Sequence, residues 1–167
     1  MLEIVWVNDL LIGGYILMNN ELYPEWWETT ITVYNKYVDP QTKVVRWYRT
    51  VIDGTFWKYV GDKVTIGQTV LETNNIICRI RKDDRFLEKY QWLQVPNDQM
   101  SNYFTLGKGD ILVKGAVDDE INEYQSGSRS TDFIAKYKEL QGCMSVEEIA
   151  INVGAERCNE HYYVKGI

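Results

Sequence analysis

Residues 47–58, WYRTVIDGTFWK, carry two Trp, one Tyr and one Phe in twelve positions, with Arg46 and Arg49 beside them. Asp53-Gly54 sits between two runs of β-branched and aromatic residues, VVRWYRTVI (44–52) and TFWKYV (55–60). An Asp-Gly pair between such runs is a two-residue hairpin signal, because glycine supplies the positive φ the turn needs. The stretch therefore predicts the middle of a β-meander. Its aromatic side chains are first of all cross-strand packing partners. A protein interface and a base-stacking platform are the competing uses.

Working outward, ETTITVYNKYV (28–38) alternates: Ile31, Val33 and Tyr37 on one face, Thr30, Thr32 and Lys36 on the other. Period two predicts a half-buried strand. DPQTK (39–43) supplies turn chemistry. The alternation of the return strand fails near Tyr48-Arg49, where a bulge or an exposed edge is expected. Asn74-Asn75 precedes a strand IICRIR (76–81). The polar stretch 82–100 predicts a loop insertion with a helical turn over 86–92. YFTLGKGDILVKG (103–115) predicts strand, turn, strand.

The helix signal is RSTDFIAKYKELQG (129–142). Phe133, Ile134, Tyr137 and Leu140 form one apolar stripe. Ser130 or Thr131 is placed to cap it and Gly142 to end it. SVEEIAINVG (145–154) and HYYVKG (161–166) predict closing strands. The fold class expected is mainly β: a small antiparallel β-barrel or sandwich with one α-helix at about 131–141. Residues 28–167 form the barrel domain. Residues 1–27 are an N-terminal arm, or residues 1–17 are a translated leader with the natural start at Met18, since Gly13-Gly14 can be encoded by a purine-rich ribosome-binding sequence.

The chain has 167 residues, a formal net charge of −6 and a hydrophobic content of 45%. That suits a single packed domain. An acidic chain is poorly suited to gripping DNA, whose affinity comes from Lys and Arg displacing counterions. Cys78, Cys143 and Cys158 are odd in number and widely spaced, so free thiols are expected rather than a disulfide framework.

The chemistry-bearing residues assemble no recognised constellation. His161 is the single histidine. Cys158 and His161, with Cys143 as a third ligand, resemble half a zinc site but lack a second paired motif. GKGD (107–110) lacks the Lys-Ser/Thr of a phosphate loop. The acidic runs KDD (82–84) and VDDE (117–120) do not follow a Ca²⁺-loop spacing, and no carboxylate stands two positions before a lysine, as a common nuclease centre requires. These readings give no catalytic residue, no cofactor and no metal ligand. Trp26, Trp27, Arg46 and Tyr48 are the candidate interface residues, because Trp, Tyr and Arg are favoured at interfaces.

TITVYNKYVDPQTKVVRWYRTVIDGTFWK (30–58), NNIICRIR (74–81), the 103–115 and 129–142 stretches and ERCNEHYYVKG (156–166) together carry a resemblance. The pattern resembles head–tail joining proteins of tailed phages, also called head-closure or stopper proteins, and related uncharacterised proteins of Firmicutes phages and prophages. It covers about residues 28–167. The resemblance implies a β-barrel subunit of a homo-oligomeric ring in the virion neck, assembled in the bacterial cytoplasm, in six or twelve copies by closed symmetry. It implies neighbouring neck proteins as partners (a portal-side adaptor, a tail terminator or a tail tube). DNA would pass through without specific binding, and neither cofactor nor membrane is implied. The alternatives are a metal-dependent nuclease or small hydrolase using the acidic runs, and a single-strand nucleic-acid-binding β-barrel.

Overall fold

The computed structural model describes residues 10–12, 15–18, 21–66, 69–154 and 159–167. Six antiparallel strands close a barrel in the order β4-β5-β6-β9-β8-β7. They are β4 (Thr29–Val38), β5 (Val45–Ile66), β6 (Thr69–Arg81), β7 (Ile111–Lys114), β8 (Cys143–Asn152) and β9 (His161–Gly166). Before them β1 (Leu10–Ile12), β2 (Tyr15–Met18) and β3 (Glu21–Pro24) form a three-stranded antiparallel sheet. The described residues also form two short α-helices, α1 (Lys89–Trp92) and α2 (Ser130–Leu140), and a 3-10 turn at Met100–Asn102. The fold is thus the mainly-β barrel with a helix near 131–141 that the periodicity predicts. The leader expectation turns partly on residues 1–9, 13 and 14, which lie outside the described residues.

The Asp53-Gly54 expectation is corrected. These residues are not a hairpin turn; β5 runs straight through them for 22 residues. Its first half pairs with β4, from Val45↔Val38 to Thr55↔Thr29, and its second half with β6, from Phe56↔Arg79 to Ile66↔Thr69. The β4–β5 register slips between Thr29 and Ile31, so Asp53 and Gly54 together face Thr30. This is a bulge, and it bends the strand from one half of the barrel wall into the other. Gly54 takes φ +70°, and a Cβ there would stand 3.0 Å from Arg81 Cζ. Thr30 Oγ1 donates to Asp53 Oδ1 at 2.6 Å. Asp-Gly serves either geometry, since both need one left-handed residue. The pairing of the flanking runs decides between them.

The bulge expected at Tyr48-Arg49 is also corrected. The register is unbroken there, with Asn35↔Tyr48 and Tyr34↔Arg49. Alternation fades because both faces of this wall are covered. Inside, Ile31, Val33, Ile52, Cys78, Ile80, Leu112, Met144 and Val164 belong to one barrel core. Outside, Tyr34, Ile111, Val113 and Cys143 pack under Phe133 and Tyr137 of α2 and under Val117 and Ile121. Thr32 pins this outer layer: its Oγ1 donates to Gly115 O and accepts the Val117 N–H.

Helix α2 departs from expectation at its ends. Arg129 is the N-cap, so neither Ser130 nor Thr131 caps it. Leu140, at the end of the apolar stripe, is 65% exposed. Gly142 does end the helix, at φ +104°, its N–H donating to Tyr137 O at 2.9 Å. Asn74 and Asn75 lie within β6, opposite Gly61 and Val60, rather than before it. Residues 103–106 form no strand; Phe104 makes a single parallel bridge to Phe86, and the 107–110 turn leads into β7.

The 82–100 insertion runs back along the barrel, with Arg85 donating to Val51 O and Lys89 to Lys36 O. It contains the expected helical turn, as α1. Trp92 is fully buried, edge-on to Tyr37 at 6.4 Å and to Tyr48 at 5.7 Å. Phe86 stacks on Tyr162 at 4.1 Å between centroids.

Candidate assembly surfaces

The opening stretch is barrel wall. Trp47 Nε1 donates to Glu123 Oε1 at 3.0 Å, which ties the outer layer to β5. Phe56 lies 6.3 Å from Trp27 with the Arg79 guanidinium over its ring. Trp57 packs on the barrel core and Tyr59 lies edge-on to it.

The four candidate interface residues divide into two pairs. Trp27 is buried among Tyr23, Phe56 and His161, and its carbonyl accepts from Arg81 Nη2 at 2.7 Å. Tyr48 is half-buried beside Tyr37 and Trp92. Both serve intrachain packing. Trp26 is 58% exposed, just before β4, and Arg46 is exposed at the other end of that strand, opposite Tyr37. Sequence reasoning missed exposed apolar residues at the Arg46 end: Val38, Tyr90, Leu93 and Tyr124. Tyr90 and Leu93 flank the buried Trp92 on α1. Their spacing of three, on a turn whose middle residue is large and apolar, was the available signal.

A second missed feature is a backbone ribbon. β6 pairs with β9 from Ile76 to Arg81, whereas β5–β6 pairing continues from Gly61↔Asn74 to Ile66↔Thr69. These six outer pairs have no third strand among the described residues. At about 3.3 Å per residue the ribbon projects roughly 20 Å. A groove of about 420 Å³ lies at its base, lined by Tyr59, Asn74, Ile76, Lys138 and Ile167 among others. The β-branched residues of GDKVTIGQTVLETNN (61–75) were the available sequence signal for the ribbon.

The acidic runs are ion-paired surface. Asp83 meets Arg85 at 2.7 Å, Asp118 meets Arg49 at 2.8 Å, and Asp119 pairs with Lys136. Among the described residues no three His, Cys, Asp or Glu side chains are grouped to hold a metal. Cys143 is buried under α2, its thiol pushed up to about 12 by that burial. His161 is paired with Asn152 at the far end of β8, nine residues or about 30 Å away. Its Nδ1 lies 2.7 Å from Asn159 O and its Nε2 3.1 Å from Asn152 Nδ2. Cys158 lies outside the described residues. Cys78 and Cys143 are free thiols, as expected. Among the described residues no helix is long and apolar enough to cross a membrane.

The Arg46 end is closed inside by a buried polar plug. Asn35 Nδ2 donates to Thr105 O at 2.7 Å and to Asp110 Oδ2 at 2.8 Å, and the Lys36 N–H donates to Asp110 Oδ1 at 2.9 Å. Burial raises the Asp110 carboxyl above its ordinary value, against the opposing pull of Lys89 and these donors. A carboxyl raised on folding contributes stability that is fully present below its unfolded value and is lost as pH rises through its folded value. Asp110→Asn removes that term and costs about 1 kcal/mol for one mismatched hydrogen bond. The wild type is therefore expected to lose its advantage over Asp110→Asn as pH rises from 4 to 7, read from urea midpoints. An advantage that grows with pH contradicts the assignment.

The fold and its surfaces define a closed antiparallel β-barrel, plugged at one end, with a two-stranded ribbon projecting from its wall. Residues 26–167 match the model of DUF6751, a family of unknown function, and the chain belongs to that family. No curated protein and no solved structure matches the chain.

Proposed function

We propose that this chain is a structural ring subunit of the tailed-phage neck, joining head to tail around the DNA path. The ribbon is the observation that carries this reading. A closed barrel has no free strand edges. Among the described residues the ribbon beyond Val60 and Asn75 has no third strand on either side, and an isolated two-stranded hairpin is marginal in water. Pairing with neighbouring copies completes it, and repetition of one heterologous contact generates a ring. The net charge of −6 suits a channel that must let DNA slide, because like charge weakens phosphate contacts. The resemblance to head-closure proteins supports the same role, with a portal-side adaptor and a tail terminator or tail tube as neighbours.

Quantitative mass spectrometry of density-purified particles tests this. The expected result is the chain at a fixed ratio to the portal protein, on the order of six or twelve copies per particle. Absence from purified particles, with the protein abundant in the lysate, contradicts it.

A further inference from the structure

We infer that successive copies dock end to end, the acidic Trp26 pole of one barrel seating on the cationic, aromatic Arg46 pole of the next. This adds a second contact between copies, beside the ribbon, to the ring reading and rests on it.

The two poles lie at opposite ends of β4. Thr29 and Val38 are nine residues apart, about 30 Å at 3.3 Å per residue. At the first pole Glu25, Trp26, Glu28 and Asp53 are all exposed. The three carboxylates make no ion pair among the described residues. Of the nearby cations, Arg81 has its Nη2 on Trp27 O, and Arg85, which faces Asp53, is paired with Asp83. At the second pole Lys36, Lys43 and Arg46 are exposed and likewise make no ion pair among the described residues. The carboxylates nearest them offset part of this charge, Asp39 facing Arg46 and Glu123 facing Lys36. Asp39 accepts the Gln41 and Thr42 N–H groups, and Glu123 accepts from Trp47. Around these cations stand the exposed rings of Tyr90 and Tyr124 and the side chain of Leu93.

Neither pole can neutralise the other within one copy, because the barrel separates them. Between copies each supplies the opposite excess charge: an exposed indole with carboxylates beside it, and exposed tyrosines with cations beside them. Buried aromatic anchors with complementary charge around them are the composition of a specific interface. Two different patches in contact make the association heterologous, which closes into a ring or runs on as a filament according to its rotation.

The test is carbodiimide cross-linking of concentrated protein mixed from ¹⁴N- and ¹⁵N-labelled preparations. This reagent joins a lysine to a carboxylate in direct contact. The expected products are mixed-isotope peptides linking Glu25, Glu28 or Asp53 to Lys36 or Lys43, which one copy cannot form, since even Asp53, opposite Thr30, is about 20 Å along the sheet from Lys36. Arg46→Glu is expected to lower their yield roughly tenfold, and the double variant Arg46→Glu/Glu28→Lys to recover it, since like charges across a contact repel and exchanged charges attract. Circular dichroism of both variants checks that the fold is kept. Absence of pole-to-pole products, a yield unmoved by Arg46→Glu, or capture of a DNA duplex by the Arg46 pole without such products overturns the inference. If the chain is in the neck and these products are absent, the docking inference alone fails. If the products form and the chain is missing from particles, the neck reading alone fails.

Discussion

Gly166→Ala is expected to lower the melting temperature by roughly 10 °C or more, or to prevent folding, from a destabilisation above about 3 kcal/mol. Gly166 stands in β9, paired with Ile76 of β6 on one side and Val146 of β8 on the other. A Cβ at this position would lie 2.1 Å from Ser145 O and 2.9 Å from Ser145 C. Those atoms are backbone, and they are held: Ser145 N–H donates to Ile167 O at 2.9 Å, and Ile167 N–H donates back to Ser145 O. A side-chain neighbour could rotate away, but this one cannot move without opening the seam that joins β8 to β9. Gly61→Ala is the control. It also lies in a paired strand, but nothing stands within 4 Å of its Cβ position. Its change is expected to stay within about 1 kcal/mol. Thermal melts of the two variants decide the matter, and equal losses would contradict the seam geometry.

Trp92→Ala is the second large effect, at about 3–5 kcal/mol. Trp92 is the largest fully buried side chain and fills the space between α1 and the Tyr37–Tyr48 pair at the plugged end. Removing it leaves a cavity bordered by rings fixed to two strands, so the site cannot collapse. Lys89 Nζ lies 4.6 Å from the centre of the same ring and would lose that contact as well. The indole N–H itself has no hydrogen-bond partner among the described residues. Trp92→Phe, which keeps an aromatic ring and forfeits no hydrogen bond, should therefore cost well under half as much. Urea midpoints measure both. A phenylalanine as damaging as alanine would mean that the indole is held by more than packing.

The strands from Ile31 to Tyr37 and from Ile76 to Arg81 were legible because their apolar residues keep period two against a single barrel core. Helix α2 was legible through Phe133, Ile134 and Tyr137, which meet that barrel on one side. Leu140 was misleading: it falls on the same stripe, but as the last residue of the helix it is 65% exposed and outside the cluster that Phe133 and Tyr137 join. Asp53-Gly54 was misleading for a different reason: a left-handed glycine suits a turn and a bulge alike. Only the long-range partner strands, β4 before it and β6 after it, distinguish the two. The candidate interface suffered from the same loss of long-range information. Trp26 and Trp27 are adjacent and chemically identical, yet one faces solvent and the other seals Tyr23, Phe56 and His161. Tyr90 and Tyr124 lie 34 positions apart and come to one barrel end through the fold alone.

The central claim is a place in the particle, and cryo-electron microscopy of the virion or of a phage-derived tail particle tests it most directly. The expected result is a ring of this barrel between the portal side and the tail tube, with the β5–β6 ribbons pairing between copies. Finding the chain in the baseplate, or finding no density for it in intact particles, would contradict it.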